Sequence, residues 1–194
     1  MKAFRPFVID KVFSIALRPN VPMLFSKFDY ECCALCPVWL AVTGSRFSGI
    51  RKMRYEHIDD VNNRLYLDDT KNDTSQRWVS VNAKDIEHIQ SMLGQMKKNA
   101  NGYIFHTGKN LITYAAVDKV FQRFLINQKA GHFTLHALRH THCSLLLHEG
   151  VSIYYISKRL GHKDISTTMR TYSHLLKETK DREEIKALEV LNNL

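Results

Sequence analysis

The chain has 194 residues, enough for one domain with a sizeable hydrophobic core. Its apolar fraction of 44% and its charged fraction of 24% are ordinary for a globular protein. The formal net charge of +9 favours a polyanionic partner, and nucleic acid is the commonest partner of that kind. Charge alone leaves one alternative open, a basic surface that serves only solubility.

The N-terminal segment, residues 1–26, carries few structural signals. Prolines interrupt it, and its best apolar run is broken by Asp10, Lys11 and Arg18. A signal peptide or a membrane span needs a longer uncharged run, so we expect neither in this segment. The sequence therefore predicts a cytoplasmic protein that does not associate with membranes.

The cysteines are unevenly placed. Cys32, Cys33 and Cys36 crowd one short apolar stretch, whereas Cys143 is remote, and this is not the pattern of a secreted disulfide framework. We expect reduced thiols. A zinc site at Cys32 and Cys36 would have helical spacing, but no second pair of ligands is apparent, so no metal site is predicted.

The first half of the chain predicts one helix followed by a small sheet. Residues 29–42 are apolar and predict a buried helix that delivers residues 43–46 to its end. Three short runs of alternating polarity follow, at residues 55–59, 64–67 and 78–81. Asn62-Asn63 and Asn72-Asp73 are turn signals between these runs, so we expect a small antiparallel sheet. Lys71 lies at the second turn, where a long side chain could extend outward.

The second half predicts helices. Apolar residues recur at helical spacing within residues 86–96 and 117–125. A helix over residues 136–149 should stop at Gly150, because glycine readily adopts the left-handed conformation that ends helices. The fold class is therefore mostly α with one small antiparallel β-sheet.

The helices that follow Gly150 are short. Ser152 can cap the first of them, and Gly161 should end it. A second short helix is expected over residues 166–171. Residues 177–194 predict a charged, amphipathic C-terminal helix, with its apolar residues on roughly one side.

Several residues suited to phosphate chemistry precede a tyrosine. His136 and Arg139 are three apart on a predicted helix and project from nearly the same face. Arg139 can offer a planar fork of donors to phosphate oxygens, and Arg46, at the end of another helix, can offer a second. His162 follows a cap glycine, and Tyr172 ends a short helix. A phenol with a pKa of about 10 needs such neighbours before it can act as a nucleophile.

Each of these residues also has an ordinary interpretation. A lone arginine is usually a solvated surface group, and a lone tyrosine is usually half-buried packing. A histidine in a helix is more often a satisfied polar residue than a catalyst. What favours a functional site is that the residues occur together and in order. The motifs are Thr43-Gly44-x-Arg46, Lys71 in a turn, His136-x-x-Arg139-His140-Thr141, and Leu160-Gly161-His162 followed by Thr167-Thr168 and Tyr172-Ser173-His174.

In this order the motifs resemble those of the catalytic domain of tyrosine recombinases, in particular phage- and transposon-type integrases. The resemblance covers most of the chain, roughly residues 29–176. It implies a catalytic domain over residues 27–176 with the mostly α fold of that family. The activity it implies is site-specific DNA recombination, for integration or excision, by cutting and rejoining DNA strands.

The resemblance implies a nucleophile and a set of proton carriers. Tyr172 would attack the scissile phosphate, leaving a 3′-phosphotyrosyl link and a free 5′-hydroxyl. Lys71 would protonate the leaving 5′-oxygen, and His136 would handle the proton of the nucleophile. Because the covalent link conserves the bond energy, a second DNA end could reverse the attack and be joined.

The resemblance also implies groups that bind the phosphate. Arg46 and Arg139 would hold the non-bridging oxygens, and His162 would hydrogen-bond to the phosphate. With these cations in place, the reaction would need no metal, no ATP and no other cofactor.

Double-stranded DNA is the partner that the resemblance implies, at the bacterial nucleoid. It also implies self-association as a tetramer on DNA, with the helix over residues 177–194 docked on a neighbouring protomer. A helix that folds back on its own core is an equally open interpretation of the same pattern.

Two departures from the family pattern bear on activity. Many members carry an acidic residue three places after the first arginine, and here that place is Gly49. Members also usually have an upstream DNA-binding domain, so we expect either a catalytic fragment or a truncated relative. Both departures keep a DNA-binding relative with weak or lost activity as an alternative.

Two further activities remain as alternatives. A metal-dependent phosphodiesterase could use His136 and His140, which have the spacing of a zinc pair. It is disfavoured because Arg139 would repel a cation and position 137 is not a glutamate. A strand-relaxing topoisomerase would share the active-site chemistry, but this short chain lacks further DNA-wrapping parts.

Overall fold

The computed structural model describes residues 29–69, 76–96, 98, 100–107 and 110–192. Residues 1–26, Lys71 and the turn signal Asn72-Asp73 lie outside this part. The helices are α1 (Asp29–Thr43), α2 (Phe47–Arg51), α3 (Ala83–Gln95), α4 (Tyr114–Asn127), α5 (Leu135–His148), α6 (Ile153–Leu160), α7 (Ile165–Thr171) and α8 (Ser173–Asn192). The strands are β1 (Ile58–Asp59), β2 (Arg64–Asp68) and β3 (Gln76–Ser80). The predicted fold class, mostly α with a small antiparallel sheet, is confirmed.

Helix α1 lies at the centre of the larger core, against α2, α4 and α5. It is apolar on nearly all sides, as expected of a helix surrounded by other elements. Cys32, Cys36 and Trp39 are almost completely buried, and the ring of Trp39 meets the edge of Phe105 with the centroids 5.2 Å apart. This packing fixes the end of α1, where the first of the phosphate-chemistry motifs begins.

The sheet has the order β1-β2-β3, and both pairings are antiparallel. Leu65 on the central strand lies opposite Ile58 and Val79. Leu65 and Leu67 are buried while the other residues of β2 are only partly covered, so one face of the sheet packs on the core. Asn63 adopts a positive φ of 50° between β1 and β2, which confirms the first predicted turn.

The predicted strand over residues 55–59 is correct only in its second part. Residues Tyr55–His57 form a 3₁₀ turn, and only Ile58–Asp59 pair with β2. The reason is local: the His57 backbone N–H bonds to the Arg54 carbonyl, at 3.0 Å, and the Arg54 N–H donates to His57 Nδ1, at 3.3 Å. These two bonds close one tight turn that alternation of polarity cannot reveal.

Helices α5 to α8 enclose a second, smaller core. Its buried residues are Cys143, Leu147, Ile156, Leu160 and Tyr172. Gly150 and Gly161 end α5 and α6 with positive φ values of 76° and 70°, as predicted. Ser152 occupies the N-cap position of α6, as predicted, but its side chain makes no cap hydrogen bond.

Side-chain caps occur at other helix starts. Thr113 accepts from the Ala116 N–H at 3.2 Å, and Asp164 accepts from the Ser166 N–H at 2.9 Å. Bonds of this type stabilise a helix because they satisfy backbone N–H groups that lack a partner in its first turn. The cap at Asp164 matters most for the site, because it starts the short helix that leads to Tyr172.

Helix α8 begins at Ser173, directly after Tyr172 and earlier than the predicted boundary at residue 177. Its first turn packs on the smaller core through Leu175 and Leu176. Further along, Ile185, Leu188 and Leu191 are 59%, 56% and 63% exposed. These side chains therefore do not fold back on the core of their own chain.

Within the described ranges, no helix is both long and apolar enough to cross a membrane. The four cysteines are buried thiols. Burial, reinforced by Cys33 and Cys32, raises the pKa of Cys36 well above its usual value. In the same part of the chain, no group of three or more His, Cys, Asp and Glu residues could hold a metal ion.

Candidate active site

Arg46 is positioned by the way α1 ends. Thr43 Oγ1 donates to the Trp39 carbonyl at 2.6 Å and accepts from the Ser45 N–H at 3.2 Å, which stops the helix. Gly44 follows with φ at +67°, and a Cβ there would lie 2.6 Å from His142 Cδ2. Only glycine suits both the conformation and the space. The chain therefore turns sharply and presents Arg46 at the start of α2.

Arg139 lies at the centre of the site and is almost fully buried. Its Nη1 donates to the Gly44 carbonyl at 2.7 Å, and its Nη2 donates to the Leu160 carbonyl at 2.8 Å. These carbonyls lie at the ends of α1 and α6, where helix carbonyls lack partners and the helix dipole is negative. Burial, followed by the charge of Arg46, lowers the Arg139 pKa to about 10, so the guanidinium stays protonated at neutral pH.

His162 lies between Arg139 and α7. Its Nε2 is 2.9 Å from Arg139 Nη2, and its Nδ1 is 2.7 Å from Thr168 Oγ1. A guanidinium can only donate, so Nε2 must accept and Nδ1 must carry the proton that is donated to Thr168. Burial, followed by the charge of Arg139, lowers the His162 pKa to about 4, which agrees with a neutral ring.

Tyr172 is buried, with 4% of its surface exposed. Its hydroxyl lies 2.8 Å from His140 Nδ1. Burial, followed by the charge of Arg139, lowers the His140 pKa, so its ring is neutral and Nδ1 can accept a hydrogen bond from the phenol. The pKa of Tyr172 itself is raised far above its usual value by burial and by the neighbouring Cys143 thiol, whereas Arg139 acts to lower it.

The His136 ring packs edge-on against His140, with the centroids 4.9 Å apart. Burial lowers the pKa of His136, and the charges of His140, Arg139 and Arg46 lower it further. His136 and Tyr172 are thus both neighbours of His140. In this arrangement the hydroxyl is bonded to His140.

A carboxylate lies beside the arginines. Asp69 is buried, and its Oδ2 is 2.9 Å from Arg77 Nη1 and 3.9 Å from Arg46 Nη1. Ser45 Oγ donates to Asp69 Oδ1 at 3.2 Å. Arg77 also donates from Nε to the Arg159 carbonyl at 2.6 Å, which ties the sheet to the end of α6.

His142 and Arg159 also bind carbonyls at the end of α1, and Arg159 joins it to the end of α6. Arg159 Nε donates to His142 Nε2 at 3.0 Å, and Arg159 Nη2 donates to the Val42 carbonyl at 3.2 Å. His142 Nδ1 must therefore carry a proton, which it donates to the Ala41 carbonyl at 2.9 Å. Burial, followed by the charge of Arg159, lowers the His142 pKa to about 4.

This brace predicts a pH-dependent stability. The folded-state pKa of His142 lies below its usual 6.5, so its contribution is complete above that pH and is lost as the pH falls towards about 4. The loss should reach about 3 kcal/mol of unfolding free energy. Chemical denaturation at several pH values measures it. His142→Gln, which keeps a donor and an acceptor, should reduce this slope, while the part that comes from His162, whose pKa is also lowered to about 4, should remain. An equal slope in both proteins would contradict the assignment.

The structure brings together most of the site residues that the sequence predicted. The charge of Arg46 lowers the pKa values of His136, Arg139 and His162, and the charge of Arg139 lowers that of Tyr172. These residues therefore share one region. The remaining predicted residue, Lys71, is outside the described residues.

Sequence reasoning assigned no role beside Tyr172 or the arginines to four contributors to this region: Asp69, Arg77, His140 and Thr168. His140 and Thr168 both lie within the ordered motifs, and His140 stands one helical turn after His136. Asp69 and Arg77 gave no such signal, since they flank a turn and an isolated Asp or Arg near a turn is common.

Comparison with known sequences identifies the family. The sequence model of the phage integrase family matches residues 30–179, and the chain belongs to this family. It is 28% identical to the integrase of Staphylococcus phage L54a, over 78% of this chain and 50% of the relative. It is 26% identical to transposase A from transposon Tn554 of Staphylococcus aureus, over 75% of this chain and 44% of the relative. The chain thus spans about half the length of these relatives.

Solved structures agree on the fold. The site-specific recombinase XerH bound to its difH substrate, in a pre-cleavage complex, matches with a TM-score of 0.74 and 20% identity, over 93% of this chain and 52% of that one. The Tn1549 transposon integrase in complex with circular intermediate DNA matches with a TM-score of 0.70 and 19% identity, over 96% of this chain and 66% of that one. The chain has the fold of a tyrosine recombinase catalytic domain.

Proposed function

We propose that this chain cuts and rejoins DNA strands in site-specific recombination, for integration or excision of a mobile element, with Tyr172 as the nucleophile. The observation that carries the proposal is the position of the Tyr172 hydroxyl. It is bonded to His140 beside the buried Arg139, which in turn is bonded to His162. Family membership and the net charge of +9 support a DNA substrate.

The reaction is an exchange of phosphate esters. The Tyr172 oxygen attacks the scissile phosphorus, the bond to the 5′-oxygen breaks, and the 3′-phosphate stays on the tyrosine. We assign Lys71 to protonate the departing 5′-oxygen, and His136 to take the phenol proton once the hydroxyl has left His140. A free 5′-hydroxyl can then attack the phosphotyrosine and restore a DNA strand without ATP, metal or another cofactor.

The charge that builds on the phosphate needs fixed cations. We assign Arg46 and Arg139 to the non-bridging oxygens. We assign His162 to a hydrogen bond with the phosphate, donated in the other tautomer, with the proton on Nε2 and with Nδ1 accepting from the Thr168 hydroxyl. Arg139 is held by two helix-end carbonyls, so its orientation is set before DNA arrives. Preorganised donors of this kind lower the barrier because they need no rearrangement during the reaction.

The described arrangement corresponds to a resting state in this proposal. Tyr172 is buried and its pKa is raised, so its oxygen is neither exposed nor readily ionised. The residue sits at the junction of α7 and α8, where Leu175 and Leu176 donate their N–H groups to its carbonyl. A shift at this junction would carry the hydroxyl from His140 to the phosphate.

A nicked suicide DNA substrate tests the proposal. Its cleavage releases a short fragment that cannot return, so a covalent protein–DNA adduct accumulates. We expect a DNA strand that is joined to the protein through its 3′-phosphate, and a free 5′-hydroxyl on the released fragment. Adding a chelator should not change the yield of adduct. Salt-sensitive DNA binding without any adduct would instead favour a DNA-binding relative that has lost its activity.

We further propose that the chain assembles as a tetramer on double-stranded DNA in the cytoplasm, at the nucleoid. What supports this is the second half of α8, where Ile185, Leu188 and Leu191 lie on roughly one side and are exposed. A second copy of the chain is the partner we assign to this surface.

Substitution on α8 tests the assembly. Leu188→Asp should reduce higher-order complexes on DNA that carries paired sites, while one protomer still binds. Val190→Asp is the matched control, because Val190 is 65% exposed but projects from another side of the helix. Analytical ultracentrifugation of the DNA complexes measures both, and equal behaviour of the two variants would contradict the assigned surface.

A further inference from the structure

Asp69 is a buried carboxylate placed against the proposed phosphate-binding arginines. Its side chain is fully buried, whereas that of Arg46 is 34% exposed. A carboxylate removed from water needs charged or hydrogen-bonding partners, and Asp69 has Arg77 at 2.9 Å and Ser45 at 3.2 Å. These partners fix the Asp69 carboxylate beside Arg46.

The ion pair between Asp69 and Arg46 is longer, at 3.9 Å. At this distance the buried carboxylate attracts the Arg46 guanidinium, while the exposed part of the Arg46 side chain stays accessible to solvent. A fixed negative charge beside a partly exposed guanidinium restricts where that guanidinium can lie. Asp69 therefore favours a position of Arg46 in which its guanidinium can still bind a phosphate on the solvent-exposed side.

Gly49 provides the space in which Asp69 lies. A Cβ at this position would run into Asp69 Oδ1 and would lie 2.9 Å from Ser45 Oγ. Gly49 lies inside α2 without a positive φ, so what requires glycine here is space and not backbone conformation. The departure that the sequence showed at Gly49 thus has a structural counterpart in Asp69.

We infer that Asp69 is the positioning residue for Arg46, and that it supplies from the end of β2 the carboxylate that α2 lacks at Gly49. The inference rests on the proposed function, because the reaction it concerns is the cleavage by Tyr172. It also explains why the absence of an acid at Gly49 is compatible with an active site.

A carboxylate so placed could instead serve only to neutralise Arg77. The two roles differ in what they require of Arg46. If Asp69 acts through Arg46, removing its charge should have no further effect on cleavage once Arg46 is gone. If Asp69 supports only Arg77 and the fold, its effect should persist when Arg46 is replaced.

A double-mutant cycle makes this distinction. Single-turnover cleavage of the suicide substrate and DNA affinity are measured for wild type, Asp69→Asn, Arg46→Ala and the pair. We expect Asp69→Asn to slow cleavage roughly tenfold to a hundredfold while DNA affinity changes by less than about twofold. The pair should cleave at the rate of Arg46→Ala alone, and multiplicative losses would overturn the inference.

A relocated carboxylate provides a second test that does not depend on the stability of Asp69→Asn. Gly49→Asp alone should be inactive and less stable, because two carboxylates would occupy one space. Gly49→Asp combined with Asp69→Gly should recover most of the cleavage rate lost in Asp69→Gly. Lack of recovery in a double variant that unfolds at the wild-type temperature would overturn the inference.

Adduct formation by the wild-type protein distinguishes a failure of the proposed function from a failure of the inference about Asp69. If it forms no adduct, the proposed function fails and the role of Asp69 falls with it. If it forms an adduct and Asp69→Asn cleaves at the wild-type rate, the inference about Asp69 alone is overturned.

Discussion

Replacing Arg139 with alanine should slow strand cleavage by at least about a hundredfold, the usual effect of removing one preorganised donor from a developing oxyanion. The change should also lower the free energy of unfolding by roughly 3 kcal/mol, because the Gly44 and Leu160 carbonyls would lose their partner. Single-turnover cleavage and chemical denaturation measure the two effects separately.

Arg159→Ala is the matched control for this prediction. Arg159 braces the same helix ends through the Val42 carbonyl and His142, but within the described residues it has no bond to His162 or Tyr172. Arg159→Ala should therefore lower the free energy of unfolding by a comparable amount but slow cleavage far less than Arg139→Ala. If the two variants slow cleavage equally at equal stability, Arg139 acts only as a brace and its assignment to the phosphate is contradicted.

Tyr172→Phe should abolish adduct formation while leaving the fold almost unchanged. The substitution removes the hydrogen bond to His140 but keeps the ring that packs among Cys143, Leu147 and Ile156. The expected cost is about 1 kcal/mol of unfolding free energy, the net value of one hydrogen bond. DNA affinity should stay near the wild-type value, since the hydroxyl is buried in the resting state.

The measurement compares adduct yield, thermal unfolding and DNA affinity of Tyr172→Phe and wild type under the same conditions. Tyr155→Phe is a useful companion, because Tyr155 is 49% exposed and belongs to the same part of the chain. It should form adduct at the wild-type rate. Residual adduct in Tyr172→Phe would show that another residue attacks the phosphate.

Two arginines and a neutral histidine of the site have a shared structural role. Arg139, Arg159 and His142 all donate to carbonyls at the C-terminal end of α1, and Arg139 also donates to one at the end of α6. The negative ends of these helices stabilise the cations, and the cations satisfy the free carbonyls. The architecture therefore concentrates positive charge at one place and holds it there without DNA.

Much of the fold was predictable because its signals are local. The buried α1 follows from an apolar run, and the ends of α5 and α6 follow from Gly150 and Gly161. The 3₁₀ turn at Tyr55–His57 was missed because it depends on hydrogen bonds between Arg54 and His57 that polarity does not encode. Ser152 was expected to cap α6 on residue type alone, but its side chain makes no such bond.

The site was predictable only as far as it lies in motifs. Arg46, Arg139 and Tyr172 stand in ordered sequence patterns, and the structure brings them into one region. The contact between Asp69 and Gly49 joins the end of a strand to a helix, and no sequence spacing encodes it. The bond between Tyr172 and His140 likewise depends on how α8, which starts directly after Tyr172, packs against α5.

The most direct test of the account is to identify the residue that carries the DNA. The adduct formed on a suicide substrate would be digested with protease and nuclease, and the nucleotide-bearing peptide would be sequenced by mass spectrometry. We predict a 3′-phosphate ester on Tyr172, although this side chain is buried in the resting state. A link to the exposed Tyr154 or Tyr155, to a serine, or to a 5′-phosphate would contradict it.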